Sequence, residues 1–304
     1  MGIGKGYGKV ILFGEHFVVH GAPAFAAAIS SVETVETKKA PAEKFITDKT
    51  IIEAFTHKAL ELITKSMKIE GHFEIKIGGD LPTYGGLGSS AAFSVALVRA
   101  LGQDFKLDLT NEEVNTHAYA GEAAFHGNPS GIDNTIATYG GAIEFRRGKT
   151  NQESTFEFIK LGKELNLIVS FSGKYGPTSE MVSKVKEFRE KNEVKFHELM
   201  EEYLDISMRG RRALENAHID ELGKLMDLNH ALLSRFGVCD DANEKIVKAA
   251  KQAGALGAKL TGGGGGGCCI SLANDKEQAE KICAAINAAG FKSFCTQIHG
   301  SKSD

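Results

Sequence analysis

The sequence predicts an α+β protein made of two halves. Short runs of β-forming residues, typical of strands, recur in both halves of the chain. Longer segments with a helical spacing of apolar residues lie between and after these runs. A length of 304 residues, of which 42% are hydrophobic and 25% charged, provides core material for about two domains.

In the first half, predicted strands alternate with predicted helices. Three short segments have the apolar or alternating character of strands, at residues 10–13, 73–77 and 142–145. Helical spacing covers residues 51–67. Thr110 and Glu113 have the spacing of a capping box, which predicts a helix that runs to about residue 125.

The second half opens with a predicted buried strand at residues 165–171, after which charged amphipathic helices dominate residues 178–253. A strand, a helix and a last strand are predicted at residues 268–272, 276–289 and 293–298. The polar stretch 146–152 has no apolar periodicity and is the best candidate for a boundary. We therefore expect an N-terminal domain over residues 1–150 and a C-terminal domain over residues 151–304.

Composition and charge argue against several classes of function. The formal net charge of -3 and the isoelectric point near 6.4 lack the basic excess of a general nucleic-acid binder. No apolar run approaches the roughly 18 residues that span a membrane. The five cysteines show no paired C-x-x-C spacing, which favours free thiols in a reducing compartment. We expect a soluble cytoplasmic protein with neither a nucleic-acid nor a membrane partner.

Residues 81–93, LPTYGGLGSSAAF, pass from a glycine-rich loop directly into an alanine-rich helical segment that starts near Ser89. Gly85, Gly86 and Gly88 carry no side chains that would keep backbone amides away from an anion, and a helix N-terminus attracts negative charge. The loop has neither the lysine of a Walker A motif nor the G-x-G-x-x-G spacing of a dinucleotide fold. It predicts a phosphate site of another class; the alternative is a structural turn with a serine N-cap.

Two further segments carry candidate charged residues. Lys9 stands at the head of the first predicted strand, and Glu15 and His16 follow its end. Glu122 lies on the capped helix, and Asp133 follows a Gly-Asn-Pro-Ser-Gly turn that can aim it out of regular structure into a cleft. The alternatives are a surface lysine, a solvated Glu-His turn, a surface glutamate and an aspartate N-cap.

Six consecutive glycines, residues 262–267, precede an apolar predicted strand. Ordering such a run costs much conformational entropy, so we expect that the fold requires a bare backbone there. A flexible linker is the alternative.

Together, these segments resemble the GHMP kinases, from about residue 8 to residue 298. The glycine loop and the glycine run after Thr261 resemble the family as a whole, whereas HGNPSGIDN and FGEHFVVHG are similar to its mevalonate branch. The resemblance implies a two-domain GHMP kinase fold, with an N-terminal ribosomal-S5-like domain and a C-terminal ferredoxin-like domain with added helices. It implies ATP-dependent phosphorylation of the 5-hydroxyl of mevalonate, a step of isoprenoid synthesis, and a possible homodimer.

The resemblance also implies roles for individual residues. Residues that would cradle the ATP phosphates are Gly85, Gly86, Leu87, Gly88, Ser89, Ser90 and Ala91. Ser90 and Glu122 would supply a hydroxyl and a carboxylate to Mg²⁺. Asp133 and Lys9 would act at the acceptor hydroxyl, as proposed base and charge partner. Residues that would bind the acceptor substrate are Lys9, Glu15, His16, Asp133, Thr178 and Gly263.

Some positions depart from the family pattern. Gly263 stands where many relatives carry alanine, and Tyr7-Gly8 replaces a usual proline-glycine. The segment before Thr178 lacks an arginine that some members of the mevalonate branch carry there.

Two other classes stay open at this point. A sister kinase for phosphomevalonate, homoserine or a sugar would be expected to differ at Glu15, His16 and the HGNPSG turn. A noncatalytic nucleotide-binding protein of the same fold predicts the loss of Lys9, Glu122 or Asp133, and all three are present.

Overall fold

The computed structural model describes residues 1–49, 53–82, 85–126, 129–149, 153–174 and 176–299. The described residues form two compact units. The first unit contains those within 1–9, 28–83 and 87–140, and the second unit those within 10–27, 84–86 and 141–304. The predicted domain boundary, between residues 150 and 151, lies outside the described residues and stays a prediction.

The first unit packs helices against one face of a sheet. Its strands come from β1 (Gly2–Phe13) and β2 (Ala24–Ala40), which also contribute to the second unit, and from β3 (Lys44–Ile46) and β4 (His72–Gly79). β1 pairs with β2, β2 pairs antiparallel with β4, and β3 pairs parallel with β4. The helices are α1 (Glu53–Met67), α2 (Ser89–Asp104), α3 (Asn111–His126) and α4 (Ile132–Tyr139).

Helix α2 is the centre of this unit. Its residues from Ala91 to Gly102 are buried except Arg99, which explains its alanine-rich and apolar composition. It shares one core cluster with α1, α3 and the inward positions Phe73 and Ile75 of β4. Burying the helix on most sides fixes the point at which its N-terminus emerges.

In the second unit, β5 (Ala142–Arg146) pairs antiparallel with the start of β2 and with β6 (Thr155–Phe158). These strands belong to the same six-stranded sheet as β1 to β4, in the order β3-β4-β2-β5-β6 with β1 paired to β2. A four-stranded antiparallel sheet has the order β10-β7-β9-β8. Its strands are β7 (Leu165–Phe171), β8 (Gly257–Thr261), β9 (Cys268–Ala273) and β10 (Lys292–Ile298). The helices are α5 (Thr178–Lys191), α6 (Glu193–Glu215), α7 (Ile219–Arg235), α8 (Asp241–Gln252) and α9 (Lys276–Ala288), and a 3-10 helix covers Val18–His20.

All five cysteines lie in the described part of the chain and are free thiols. Of the helices described, none combines the length and the apolar character that crossing a bilayer requires.

Candidate active site

The predicted phosphate loop leads into α2 at Gly88, although Thr83 and Tyr84 of this run lie outside the described residues. Helix α2 begins at Ser89, as the sequence predicts, and its N-cap is Gly88 with φ of 71°. The alternative of a serine N-cap is therefore wrong. No described side chain caps the helix, so the amides of its first turn stay available to an anion.

Lys9 is anchored to this loop. Its side chain is 7% exposed, so it is not a surface lysine. Its backbone N–H donates to the Leu87 carbonyl at 2.9 Å, and its side chain crosses Gly88, where a Cβ would lie 2.8 Å from Lys9 Cγ. Glycine at position 88 therefore makes room for the lysine.

Asp133 lies opposite the Lys9 ammonium, with 3.2 Å between Lys9 Nζ and Asp133 Oδ1. The expectation that Asp133 leaves regular structure is wrong, because it occupies the first turn of α4. It is not the N-cap either, since that position is Gly131 with φ of 85°. The side chain of Asp133 is 28% exposed, so solvent reaches it.

Glu122 is buried on α3, with 1% of its side chain exposed, so the alternative of a surface glutamate is wrong. Burial raises the pKa of Glu122 to about 8, and the nearby Asp133 adds to the increase, while the Ser90 hydroxyl and Lys9 oppose it. Glu122 Oε1 has no hydrogen-bond partner among the described residues.

Ser90 and Glu122 are linked by His126, a residue that the sequence reasoning missed. His126 Nε2 lies 3.2 Å from Ser90 Oγ and 3.9 Å from Glu122 Oε2. Its position four residues after Glu122 on the same helix was the available signal, because residues i and i+4 share a helix face.

The Ser90–Glu122 pair fits a magnesium ion. Mg²⁺ takes one or two protein oxygens and keeps waters and phosphate oxygens as its other ligands. Glu122 Oε1 is buried and has no hydrogen-bond partner in the described part of the chain, and the raised pKa of Glu122 shows that its charged form is unfavourable there without a cation. The chemistry of these residues therefore suits the metal that the family resemblance implies.

In the second unit, Glu15 and His16 form a buried turn rather than a solvated one, with exposures of 4% and 6%. The Glu15 carboxylate accepts a hydrogen bond from Lys259, a residue that the sequence reasoning did not single out. His16 adopts φ of 64°, and its Nε2 lies 2.8 Å from the Gly263 carbonyl oxygen. Burial lowers the pKa of His16, which favours a neutral imidazole.

The contact with Gly263 decides which ring nitrogen of the neutral His16 imidazole carries the proton. Since the Gly263 carbonyl can only accept, Nε2 must carry the proton and donate, which leaves Nδ1 as an acceptor. Nδ1 is buried and has no hydrogen-bond partner within the described ranges.

The glycine run connects β8 to β9, and the alternative of a flexible linker is wrong. All of its residues except Gly263 have positive φ. Gly265 N–H donates to the Val238 carbonyl, Gly267 N–H donates to the Lys174 carbonyl, and Asn243 donates to the Gly266 carbonyl. The run is therefore an ordered loop whose conformation only glycine adopts readily.

Gly263 faces Thr178, the first residue of α5. A Cβ on Gly263 would lie 2.8 Å from Thr178 Oγ1, too close for the hydroxyl to keep its place. Gly86, also in this unit, faces the Thr261 carbonyl oxygen, which would lie 3.6 Å from a Cβ at position 86.

The structure thus forms two groups of predicted site residues. In the first unit it brings together Lys9, Ser90, Glu122 and Asp133 around the start of α2. In the second unit it brings together His16, Gly263 and Thr178, with Glu15 adjacent through the chain and through Lys259.

Known proteins match the chain in both halves. The model for the GHMP kinases N terminal domain matches residues 53–141, and that for the GHMP kinases C terminal matches residues 211–292. The chain is 34% identical to the mevalonate kinase of Thermococcus gammatolerans, with 95% of this chain and 94% of that protein covered. It is 30% identical to that of Schizosaccharomyces pombe, with 91% and 84% covered.

Solved structures of mevalonate kinases also match the fold of this chain. The fold matches L. major mevalonate kinase in complex with R-mevalonate with a TM-score of 0.93 and 36% identity, covering 100% of this chain and 97% of that one. It matches Methanococcus jannaschii mevalonate kinase with a TM-score of 0.83 and 26% identity, covering 98% of each chain. The α+β chain belongs to the GHMP kinase family, and within it to the mevalonate kinases.

Proposed function

We propose that this protein transfers the terminal phosphoryl group of ATP to the 5-hydroxyl of mevalonate. The observation that carries the proposal is the Lys9–Asp133 ion pair, with 3.2 Å between Lys9 Nζ and Asp133 Oδ1, held against Gly88 where α2 begins. A charged pair able to act on a hydroxyl is thereby anchored to a helix N-terminus able to bind phosphate.

The ATP phosphates would lie at the predicted loop and the first turn of α2. The amides of Ser89, Ser90 and Ala91 belong to a 16-residue helix that no side chain of the described residues caps, so the partial positive charge of the helix end is available. Because this loop carries no lysine, the neutralising positive charge must come from elsewhere.

Ser90 and Glu122 would hold Mg²⁺, which when bound neutralises phosphate charge and orients the oxygens of the transferred group. The buried Glu122 carboxylate would supply one negative oxygen, and the Ser90 hydroxyl would supply a neutral one.

Asp133 would accept the proton of the attacking hydroxyl through a carboxylate oxygen, while the Lys9 ammonium offsets the charge that develops at the oxygen. Transition states of phosphoryl transfer are largely dissociative in most analyses, so positioning of the hydroxyl counts for more than the strength of the base. The short anchor of Lys9 to Leu87 suits that positioning role.

His16 and Thr178 are the further residues that we assign to the acceptor substrate. His16 Nδ1, an acceptor without a partner among the residues that the structure describes, suits a substrate hydroxyl, and Thr178 offers a hydroxyl at the start of α5. The choice of mevalonate is supported by relatives named mevalonate kinase and by the fold match to such an enzyme in complex with R-mevalonate. The cytoplasmic location and the homodimer remain predictions.

A coupled assay of ADP release tests the proposal on a panel of mevalonate, phosphomevalonate, homoserine and galactose. We expect turnover with mevalonate that needs both Mg²⁺ and ATP, and at least about tenfold lower kcat/KM for the other three alcohols. Turnover of phosphomevalonate or homoserine instead of mevalonate would identify a sister kinase. An absence of turnover with every alcohol, in a protein that binds ATP, would favour the noncatalytic alternative.

A further inference from the structure

Lys259 on β8 is one of the largest side chains with no solvent exposure in the described structure. Its ammonium donates to the Glu15 carboxylate and, at 2.6 Å, to the Leu260 carbonyl oxygen. The side chain of Glu15 is 1% exposed, so both charges of this ion pair are removed from water. Lysine is almost never fully buried without such a partner.

Alternate residues from Lys259 to Gly263 contact the end of β1 or the turn that follows it. Thr261 Oγ1 accepts from the Ile11 N–H at 2.9 Å and donates to the Ile11 carbonyl at 3.1 Å. Two residues later, the Gly263 carbonyl accepts from His16. Lys259, Thr261 and Gly263 thus form three successive attachments of one chain segment to another.

The turn needs such attachments because its backbone is strained. His16 is a non-glycine residue with φ of 64°, a conformation that persists only when surrounding contacts hold it. Within the turn, Phe17 N–H donates to the Glu15 carbonyl and Val18 N–H to the Gly14 carbonyl. The Glu15 carboxylate is the side chain through which Lys259 can fix this conformation.

We propose that Lys259 is a positioning residue for the acceptor substrate, which acts by holding the Glu15–His16 turn in place through the buried ion pair. The inference rests on the proposed function, in which His16 contacts the acceptor. Without the ammonium, the buried Glu15 carboxylate would lose the positive charge that Lys259 supplies, so it would take up a proton or move toward water. Either change would displace His16 from Gly263.

The test compares Lys259→Met with Lys251→Met. Lys251 is a matched control, because its ammonium also donates to a carboxylate, that of Asp227, and to a carbonyl, that of Leu256, but it is 37% exposed. We expect Lys259→Met to raise the KM for mevalonate by about tenfold or more and to leave the KM for ATP within about twofold. The Lys251 variant should keep both values within about twofold of wild type.

Hydrogen exchange of the amides of Phe17 and Val18 gives a second reading that needs no substrate. Lys259→Met should speed their exchange by about tenfold without a comparable change in the first unit. A folded Lys259→Met protein whose turn exchange and mevalonate KM equal those of Lys251→Met would overturn the inference. A wild-type protein that does not turn over mevalonate contradicts the proposed function instead, while the exchange measurement still decides the role of Lys259.

If Lys259→Met does not fold, Glu15→Gln and the double variant Glu15→Gln/Lys259→Met replace it, since the double variant removes both buried charges. Because Lys259 is proposed to act through Glu15, the single variant Glu15→Gln and the double variant should have the same mevalonate KM within about twofold. A double variant whose KM is raised by a further factor of about ten would show an independent role and contradict the inference.

Discussion

At the scale of single residues, the two carboxylates beside α2 lie in different surroundings. Asp133 is partly exposed and paired with Lys9 at 3.2 Å, whereas Glu122 is buried with its Oε1 unpartnered among the described residues. Different surroundings give chemically identical groups different roles. This contrast favours Asp133 for proton transfer at the acceptor and Glu122 for the metal.

Asp133→Asn tests that assignment. Because the amide cannot accept the proton of the attacking hydroxyl, we expect kcat to fall by about 10²–10⁴, while the affinity for ATP, measured by calorimetry, stays within about threefold. Asp108→Asn, at an exposed aspartate of the same unit, is the control and should retain kcat. A kcat of Asp133→Asn close to wild type would remove Asp133 from the chemistry.

Gly263→Ala tests whether the missing side chain makes room for Thr178. The new Cβ would lie 2.8 Å from Thr178 Oγ1, so the hydroxyl must shift, and we expect the KM for mevalonate to rise by about three- to tenfold. Gly78→Ala is a matched control, because its Cβ would meet Thr34 Oγ1 at a looser 3.3 Å. An unchanged KM would mean that Thr178 does not contact the acceptor or moves without loss.

At the scale of elements, the capping box of α3 is confirmed. Thr110 N–H donates to Glu113 Oε2 at 2.8 Å, and Glu113 N–H donates to Thr110 Oγ1 at 3.2 Å. The helix runs over Asn111–His126 and presents Glu122 and His126 toward Ser90. The start of this helix therefore contributes to the placement of a predicted metal ligand.

Thr110→Ala should lower the free energy of unfolding, because it leaves the Glu113 N–H without its cap. We expect a loss of about 0.5–2 kcal/mol in urea denaturation. Thr116→Ala, on an exposed turn of the same helix, removes a hydroxyl that donates back to the Glu112 carbonyl. That control should be neutral or slightly stabilising, and equal losses in the two variants would contradict a capping role for Thr110.

The sequence predicted some elements much better than others. Strand β7 and helix α9 lie where their patterns place them, because local apolar spacing decides them. Strand β2, Ala24–Ala40, was missed since its first part is rich in alanine, which is not a β-forming residue. It forms a strand because it pairs with β4 and β5. These partners lie far away in the chain, so the local sequence does not reveal them.

At the scale of the whole molecule, buried charge makes stability depend on pH. Burial raises the pKa of Glu33 to about 7 from its ordinary 4.5, even though Lys49 Nζ donates to it at 2.7 Å. Between these two values the folded protein holds a proton that the unfolded chain has released. Glu33 therefore contributes stability that is fully present below pH 4.5 and is lost as pH rises through 7, by up to about 3 kcal/mol.

Glu33→Gln should flatten this pH dependence, because the amide does not titrate. Melting temperatures measured from pH 5 to pH 8 are expected to fall less steeply for this variant than for wild type. Glu36→Gln on the same strand, whose side chain is 42% exposed, should keep the wild-type slope. Parallel profiles for Glu33→Gln and wild type would show that Glu33 stays ionised across this range.

The sequence by itself determined the family, the α+β class and the residue types of the site. Those features depend on local spacing and on motifs such as the glycine loop and run, which need no knowledge of distant contacts. Only the tertiary structure decided that Lys9 pairs with Asp133, that Glu122 is buried, and that Lys259 holds Glu15. The reason is physical: charge pairing and desolvation depend on which distant segments the fold brings together, and these set the behaviour of an ionisable group.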